Sequence, residues 1–262
     1  EKRMINIVND FMKLDGLKTC GFDLEFNTPR KSIGARAIAL MQIALYFPNE
    51  IMILFIDPII LTEGNVIIKQ LLVNHNVNKI GHGTDSLDIP ALYKYLGNNK
   101  DIIKFTLTLY DTRFLCEYIN SLTDNRLCNI YHCLKEYKVI TNQQLTFLMD
   151  NEKKLGKFWL KTINIKTLSD VLIDYAMYDA LYLKKLTHQL KKHIISKDFK
   201  YNIVIETTRL IFLLRQNIFS LKNVNRFNTF MVDKTSLVSI FQTTYDKFYD
   251  SININILLLS VC

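Results

Sequence analysis

Between Thr19 and Asp57 three apolar runs follow one another with too little chain between them for a crossover helix. Thr19 to Phe26, Ala37 to Phe47 and Ile51 to Asp57 each read as a strand, and loops carrying Pro29, Gly34 and Pro48 separate them. Parallel neighbours need a connection of about a dozen residues or more, so these runs are expected to form an antiparallel meander. The pattern then changes. Glu63 to His75 has apolar residues at helical spacing, Val77 to His82 reads as a short strand, and a helix follows from about Ser86 to Leu96, ending at Gly97. Phe105 to Asp111 is a fifth expected strand. Beyond it the chain turns helical, with Thr112 to Ser121, Leu127 to Tyr137 and Leu168 to His193 the clearest segments. Three strands followed by alternating helix and strand imply an α/β architecture, a mixed sheet flanked by helices.

Two acids stand inside the first strand. Asp23 and Glu25, in GFDLEFNTPR, lie two apart and therefore on one face, with Phe22, Leu24 and Phe26 on the other. Adjacent carboxylates repel, and partial burial raises the cost, unless cations neutralise them or one takes a proton. Such hard oxygen ligands suit Mg²⁺ or Mn²⁺. On its own, however, Asp-x-Glu in a strand is more often a solvent-facing pair, so other acids must converge on it for the metal reading to hold. KIGHGTDSLDIPALYKYLG, residues 79 to 97, ends a strand and opens a helix with Asp85 and Asp88 near its start, where capping and the helix dipole also favour acids. DYAMYDALYLKKL, residues 174 to 186, sets Tyr175 and Asp179 four apart, on one helix face.

These motifs, in this order, resemble the DEDD-type 3′ to 5′ exonucleases of the ribonuclease D-like branch. The first motif is similar in Phe22-Asp23-Leu24-Glu25-Phe26, continued by Leu40-Met41-Gln42-Ile43-Ala44-Leu45 and Phe55-Ile56-Asp57-Pro58. The second is similar in His82-Gly83, Asp88-Ile89 and Leu96-Gly97, and the third in Tyr175-Ala176 with Asp179 and Tyr182-Leu183. Tyr175 marks the tyrosine (DEDDy) subclass. Asp111-Thr112, Leu134 to Tyr137 and Trp159 also stand where such proteins have similar residues, and the resemblance covers about residues 3 to 193. The second motif carries one extra residue. Counting back from Leu96-Gly97 selects Asp88, counting forward from His82 leaves Asp85 open, and the helical spacing of Leu92 and Leu96 favours Asp88.

The resemblance implies a ribonuclease H-like fold and hydrolysis of terminal phosphodiesters with two divalent cations, Mg²⁺ or Mn²⁺. Asp23 is then expected to bridge both ions, Glu25 and Asp179 to complete the nucleophile-side site, Asp88 to hold the other ion through water, and Tyr175 to orient the attacking water. The implied partner is nucleic acid with a single-stranded 3′ end, RNA before DNA. A DNA proofreading or repair exonuclease and a binding adaptor without turnover are the alternatives, and the adaptor would be favoured by missing acids.

The net charge of +8 and a pI near 9.1 suit a polyanionic partner. Arg30, Lys31 and Arg36, after the acidic strand, and Lys184 and Lys185, following Asp179, are the expected phosphate contacts, weighed against simple solvation. No apolar run approaches the roughly 18 residues of a membrane span. The five Cys are odd in number and irregularly spaced, which predicts reduced thiols and an intracellular location, cytoplasmic or nuclear. Cys116, Cys128, His132 and Cys133 lack a paired Cys-x-x-Cys and read as buried helix residues before a zinc site. His82 is expected to make a structural hydrogen bond. The expected organisation is an exonuclease domain over residues 1–195 and a helical C-terminal extension of unknown role over 196–262, with helices at Ile203 to Leu214 and Ser236 to Tyr249.

Overall fold

The structure, a computed structural model, describes residues 1–27, 37–59, 61–123, 128–156, 163–196 and 201–213. Its strands are β1 (Lys18–Asn27), β2 (Ala37–Tyr46), β3 (Ile51–Ile56), β4 (Val77–Gly81) and β5 (Leu109–Asp111). They form one mixed sheet in the order β3-β2-β1-β4-β5. β1, β2 and β3 are the expected antiparallel meander, while β4 and β5 join in parallel. The helices are α1 (Lys2–Lys13), α2 (Glu63–Val73), α3 (Asp88–Leu96), α4 (Asn99–Thr106), α5 (Thr112–Thr123), α6 (Ile130–Glu136), α7 (Asn142–Leu155), α8 (Asp170–Leu181), α9 (Leu183–Ser196) and α10 (Tyr201–Leu213). This mixed sheet with flanking helices is the ribonuclease H-like fold. No described helix is long and apolar enough to cross a membrane.

The two sheet faces bury different chemistry. Cys20, Phe22 and Leu24 of β1, with Met41, Ile43 and Leu45 of β2, enter the main core against α1, α2 and α5 residues such as Phe11, Leu71 and Leu115. Alternation sends Gly21, Asp23 and Glu25 to the opposite face, where Leu40, Ala44 and Tyr46 of β2 meet α8. β2 is apolar at nearly every position because it is covered on both sides.

Three expectations are corrected. The fifth strand does not begin at Phe105: residues 99–106 form α4, whose N-cap Asn98 accepts the Asp101 N–H at 2.9 Å and whose Ile102 and Phe105 are buried. The helix expected from Leu168 to His193 is two helices. The Tyr46 hydroxyl donates to the Ala180 carbonyl at 2.6 Å and accepts the Lys184 N–H at 3.2 Å, so a side chain stands inside the ladder that would have joined them. Finally, Cys116 and Cys128 are joined by a disulfide, whereas reduced thiols were expected. α6 starts only at Ile130, which leaves Cys128 ahead of the helix with its Cα 5.8 Å from that of Cys116.

Of the C-terminal segment, α10 packs on α5 and β5: Phe212 meets Phe114 edge-on at 5.4 Å, and Arg209 donates to the Leu109 carbonyl at 3.0 Å. The helix expected at Ser236 to Tyr249 lies outside the described residues.

Candidate active site

Small residues let α8 approach β1 and β2 closely. A Cβ on Gly21 would stand 2.7 Å from both the Ala180 carbonyl and the Tyr46 hydroxyl, and Ala176 and Ala180 are fully buried against the strands. Ser169 caps the helix by accepting the Leu172 N–H at 3.3 Å. Tyr175 and Asp179, one turn apart on the sheet-facing side, are thereby carried to the acids of β1. Carboxylate oxygens of Asp23, Glu25 and Asp179 all lie within 4.8 Å of one another.

Asp88 reaches the cluster from the first residue of α3, after the turn that leaves β4. That turn hangs on Asp111. Asp111 Oδ1 accepts the N–H groups of Gly83 at 3.0 Å and Arg113 at 2.9 Å, and Oδ2 accepts the Thr84 N–H and hydroxyl, each at 2.8 Å. Gly83 takes a left-handed φ of 66° to make the bend. His82 is held on both sides, by Thr112 Oγ1 at 2.8 Å and by the Cys128 carbonyl at 3.0 Å, and burial pushes its pKa down to about 4, leaving it neutral. Its contacts are structural hydrogen bonds of the kind expected. Asp85 instead turns to Arg113, 3.9 Å away.

Electrostatics single the cluster out. Burial pushes the Asp23 carboxyl up to about 7, and burial with repulsion from Asp23, Asp179 and Asp88 pushes Glu25 up to about 10. Asp88 and Asp179 are likewise driven well above the usual carboxylate range, first by burial and then by Asp23. The Tyr175 phenol donates a hydrogen bond to Asp179; the neighbouring charges, Asp179 foremost, and burial raise its own pKa. Asp88 Oδ1 and Asp179 Oδ1 are buried with no hydrogen-bond partner among the described residues. Four acids that cannot all ionise unaided, two of them with orphaned oxygens, fit hard divalent cations.

A pocket of about 460 Å³ opens onto the cluster. Asp23, Tyr175 and Asp179 form one part of its wall, and Tyr131, Met149 and Glu152 of α6 and α7 another; Glu25 and Asp88 join the acids without lining it. No spacing rule ties Tyr131 or Glu152 to the acids, because helix packing alone brings them there. Lys184 and Lys185 are exposed on α9 outside the wall. Lys184 lies over the Tyr46 ring at 5.5 Å, and Lys185 donates to the Val139 carbonyl at 3.0 Å. Arg30, Lys31, Arg36 and Trp159 lie outside the described residues.

A family model described as 3′-5′ exonuclease matches residues 6–195. An uncharacterized protein of Acanthamoeba polyphaga mimivirus is 36% identical over 179 residues, 59% of this chain and 35% of that protein. The chain thus spans about a third of the length of this curated relative. Among solved structures, the catalytic core of RRP6 from Trypanosoma brucei superposes with a TM-score of 0.59 at 16% identity, over 81% of this chain and 50% of that one. RNase D of the same organism gives 0.59 at 18% identity as its GMP complex, over 81% and 60% of the two chains. Its complex with the RNA U12 gives 0.52 at 18% identity, over 72% and 59%. At these identities the likeness speaks for the fold.

Proposed function

The chain belongs to the 3′-5′ exonuclease family, and from that premise we propose that it is a DEDDy-type exonuclease that removes nucleotides from single-stranded 3′ ends, RNA in preference to DNA. The observation that carries this reading is the convergence of Asp23, Glu25, Asp88 and Asp179, from three separate segments, beside the Tyr175 phenol. Every acid of the pattern is present, which argues against an adaptor without turnover. RNA is favoured because the fold is shared with RNase D, which has been crystallised with an RNA.

Exonucleases of the family generally use divalent cations. Asp23, Glu25, Asp179 and Asp88 would hold two of them here, Mg²⁺ or Mn²⁺, which neutralise the acids and stabilise charge on the attacking and leaving oxygens. The residues themselves do the rest. The sheet and α8 keep the carboxylates in place in advance, so little reorganisation accompanies reaction. Tyr175 keeps its proton beside Asp179 and orients the attacking water, a role that needs no phenolate. Asp111 fixes the turn from which Asp88 projects.

The test offers the purified protein matched 5′-labelled single-stranded RNA, single-stranded DNA and recessed duplexes with Mg²⁺ or Mn²⁺. Stepwise shortening from the 3′ end, arrest by EDTA and faster loss of RNA are expected. Binding without cleavage of any substrate, by protein shown to be folded, would replace the enzyme with the adaptor.

A further inference from the structure

Tyr131 is a second phenol at the pocket. It stands in the first turn of α6, 9% exposed, and its hydroxyl is buried with no hydrogen-bond partner among the described residues. A buried hydroxyl without a partner is costly, and Phe would fill the same space without that cost. The hydroxyl therefore has its donor available to a molecule that enters the pocket.

The surrounding wall narrows what that partner is. None of the described lining residues is Lys or Arg, so among the described residues a phosphate entering here meets neither. Of the neighbouring side chains, both ring nitrogens of His82 have partners, the Asn129 side-chain oxygen caps α6 by accepting the His132 N–H at 3.0 Å, and Tyr175 donates to Asp179. Asp23, Asp179 and Glu152 in the same wall can only accept when ionised. A phenol, protonated at neutral pH, brings the complementary donor. Phosphate oxygens are the strong acceptors of a nucleotide, and hydrogen bonds to charged acceptors are the stronger kind.

We propose that Tyr131 is a substrate-binding residue whose hydroxyl donates to a non-bridging phosphate oxygen of the 3′-terminal nucleotide. The contact rests on the exonuclease reading of the site. It assigns Tyr131 a task distinct from that of Tyr175, with one phenol on the phosphate and the other on the water. Because the hydroxyl has no partner among the described residues and gains one in the complex, its removal has opposite effects on the two states.

The experiment compares wild type with Tyr131→Phe, measuring thermal unfolding, calorimetric binding of adenosine 5′-monophosphate and of adenosine in Mg²⁺, and single-turnover cleavage of labelled RNA. The variant is expected to unfold at the same temperature or a higher one. It should bind the monophosphate about tenfold more weakly, as for one lost hydrogen bond to a charged group, with adenosine binding unchanged, and cleave more slowly. A wild type that cleaves, beside a variant with the same monophosphate affinity, would overturn this assignment and leave the exonuclease standing. Equal losses for adenosine and its monophosphate would move the contact to sugar or base and overturn it as well. A lowered unfolding temperature with no selective loss of the monophosphate would make Tyr131 structural. A folded wild type that neither binds the monophosphate nor cleaves would overturn the proposed function, and this inference with it.

Discussion

Thr84 is tied to Asp111 twice, its backbone N–H and its hydroxyl each donating to Oδ2 at 2.8 Å. The pair closes the turn between β4 and α3, and the turn sets where Asp88 emerges. Asp111→Asn replaces one acceptor oxygen with a donor facing N–H groups that are already donors. It should lower stability by roughly 3 kcal/mol, since buried donors lose charged partners, and the unfolding temperature by about 10 °C. Turnover measured where the variant is still folded should also fall. Thr84→Val removes a single hydrogen bond and should cost roughly 1 kcal/mol. Circular dichroism melts with parallel RNA cleavage check both, and an Asp111→Asn protein of wild-type stability would show that the turn holds without the carboxylate.

The parts of the site that could be read in the sequence are those set by local spacing. Asp23 and Glu25 share a strand face two residues apart, and Tyr175 and Asp179 share a helix face four apart; neither relation needs the rest of the chain. α4 was hidden because Phe105 to Tyr110 is rich in β-forming types, while the Asn98 cap and the burial of Ile102 and Phe105 decide for helix. The break between α8 and α9 depends on Tyr46, 134 residues before Ala180. Such a contact leaves no periodic trace. The Cys116 to Cys128 bond and the place of Tyr131 beside α7 and α8 likewise follow from tertiary packing, which cysteine counting and helical periodicity do not report.

The choice between Asp85 and Asp88 is testable directly. Asp88 shares its field with Asp23 and Glu25, whereas Asp85 faces Arg113, which also holds Glu117 at 2.7 Å. Asp88→Asn should depress turnover by about a hundredfold, as for the loss of one preorganised charge in a site. Asp85→Asn loses at most about 1 kcal/mol of a partly exposed ion pair and should keep most activity. Rates at saturating Mg²⁺ check the order, and the reverse ranking would move the assignment to Asp85.

The close seat of α8 on β1 predicts an unusually sharp effect of one methyl group. Gly21→Ala places a Cβ against the Ala180 carbonyl and the Tyr46 hydroxyl, and the carbonyl belongs to the helix backbone that carries Asp179. Overpacking of this kind costs about 1–3 kcal/mol. The displacement should also separate Asp179 from Asp23, so Mg²⁺ affinity and turnover should drop together in protein that remains folded. Calorimetric metal titration of the variant provides the check, and wild-type metal affinity would mean that α8 does not set the distance between these acids.

Stability should depend on pH and on metal in a linked way. Asp23 is raised from an ordinary value of 3.8 to about 7, and Glu25 from 4.5 to about 10. Both shifts are upward, so between the ordinary and the raised values the folded protein holds protons that the unfolded chain has released. Stability then falls as pH rises, from about 4 to about 7 through Asp23 and on toward about 10 through Glu25. Divalent cations reverse the penalty by neutralising the ionised forms, and they compete with protons for the same oxygens. In EDTA the unfolding temperature should therefore drop between about pH 5 and pH 8 through these groups, and the rise produced by saturating Mg²⁺ should be larger at about pH 8. Glu25→Gln should flatten the metal-free dependence, because it removes a group that burial and three neighbouring acids oppose. Thermal melts of both proteins across that range, with and without Mg²⁺, measure the effect. A metal-induced rise that is the same at both pH values would show that these carboxylates are ionised in the free protein, and would remove the argument that their mutual repulsion is what recruits the cations.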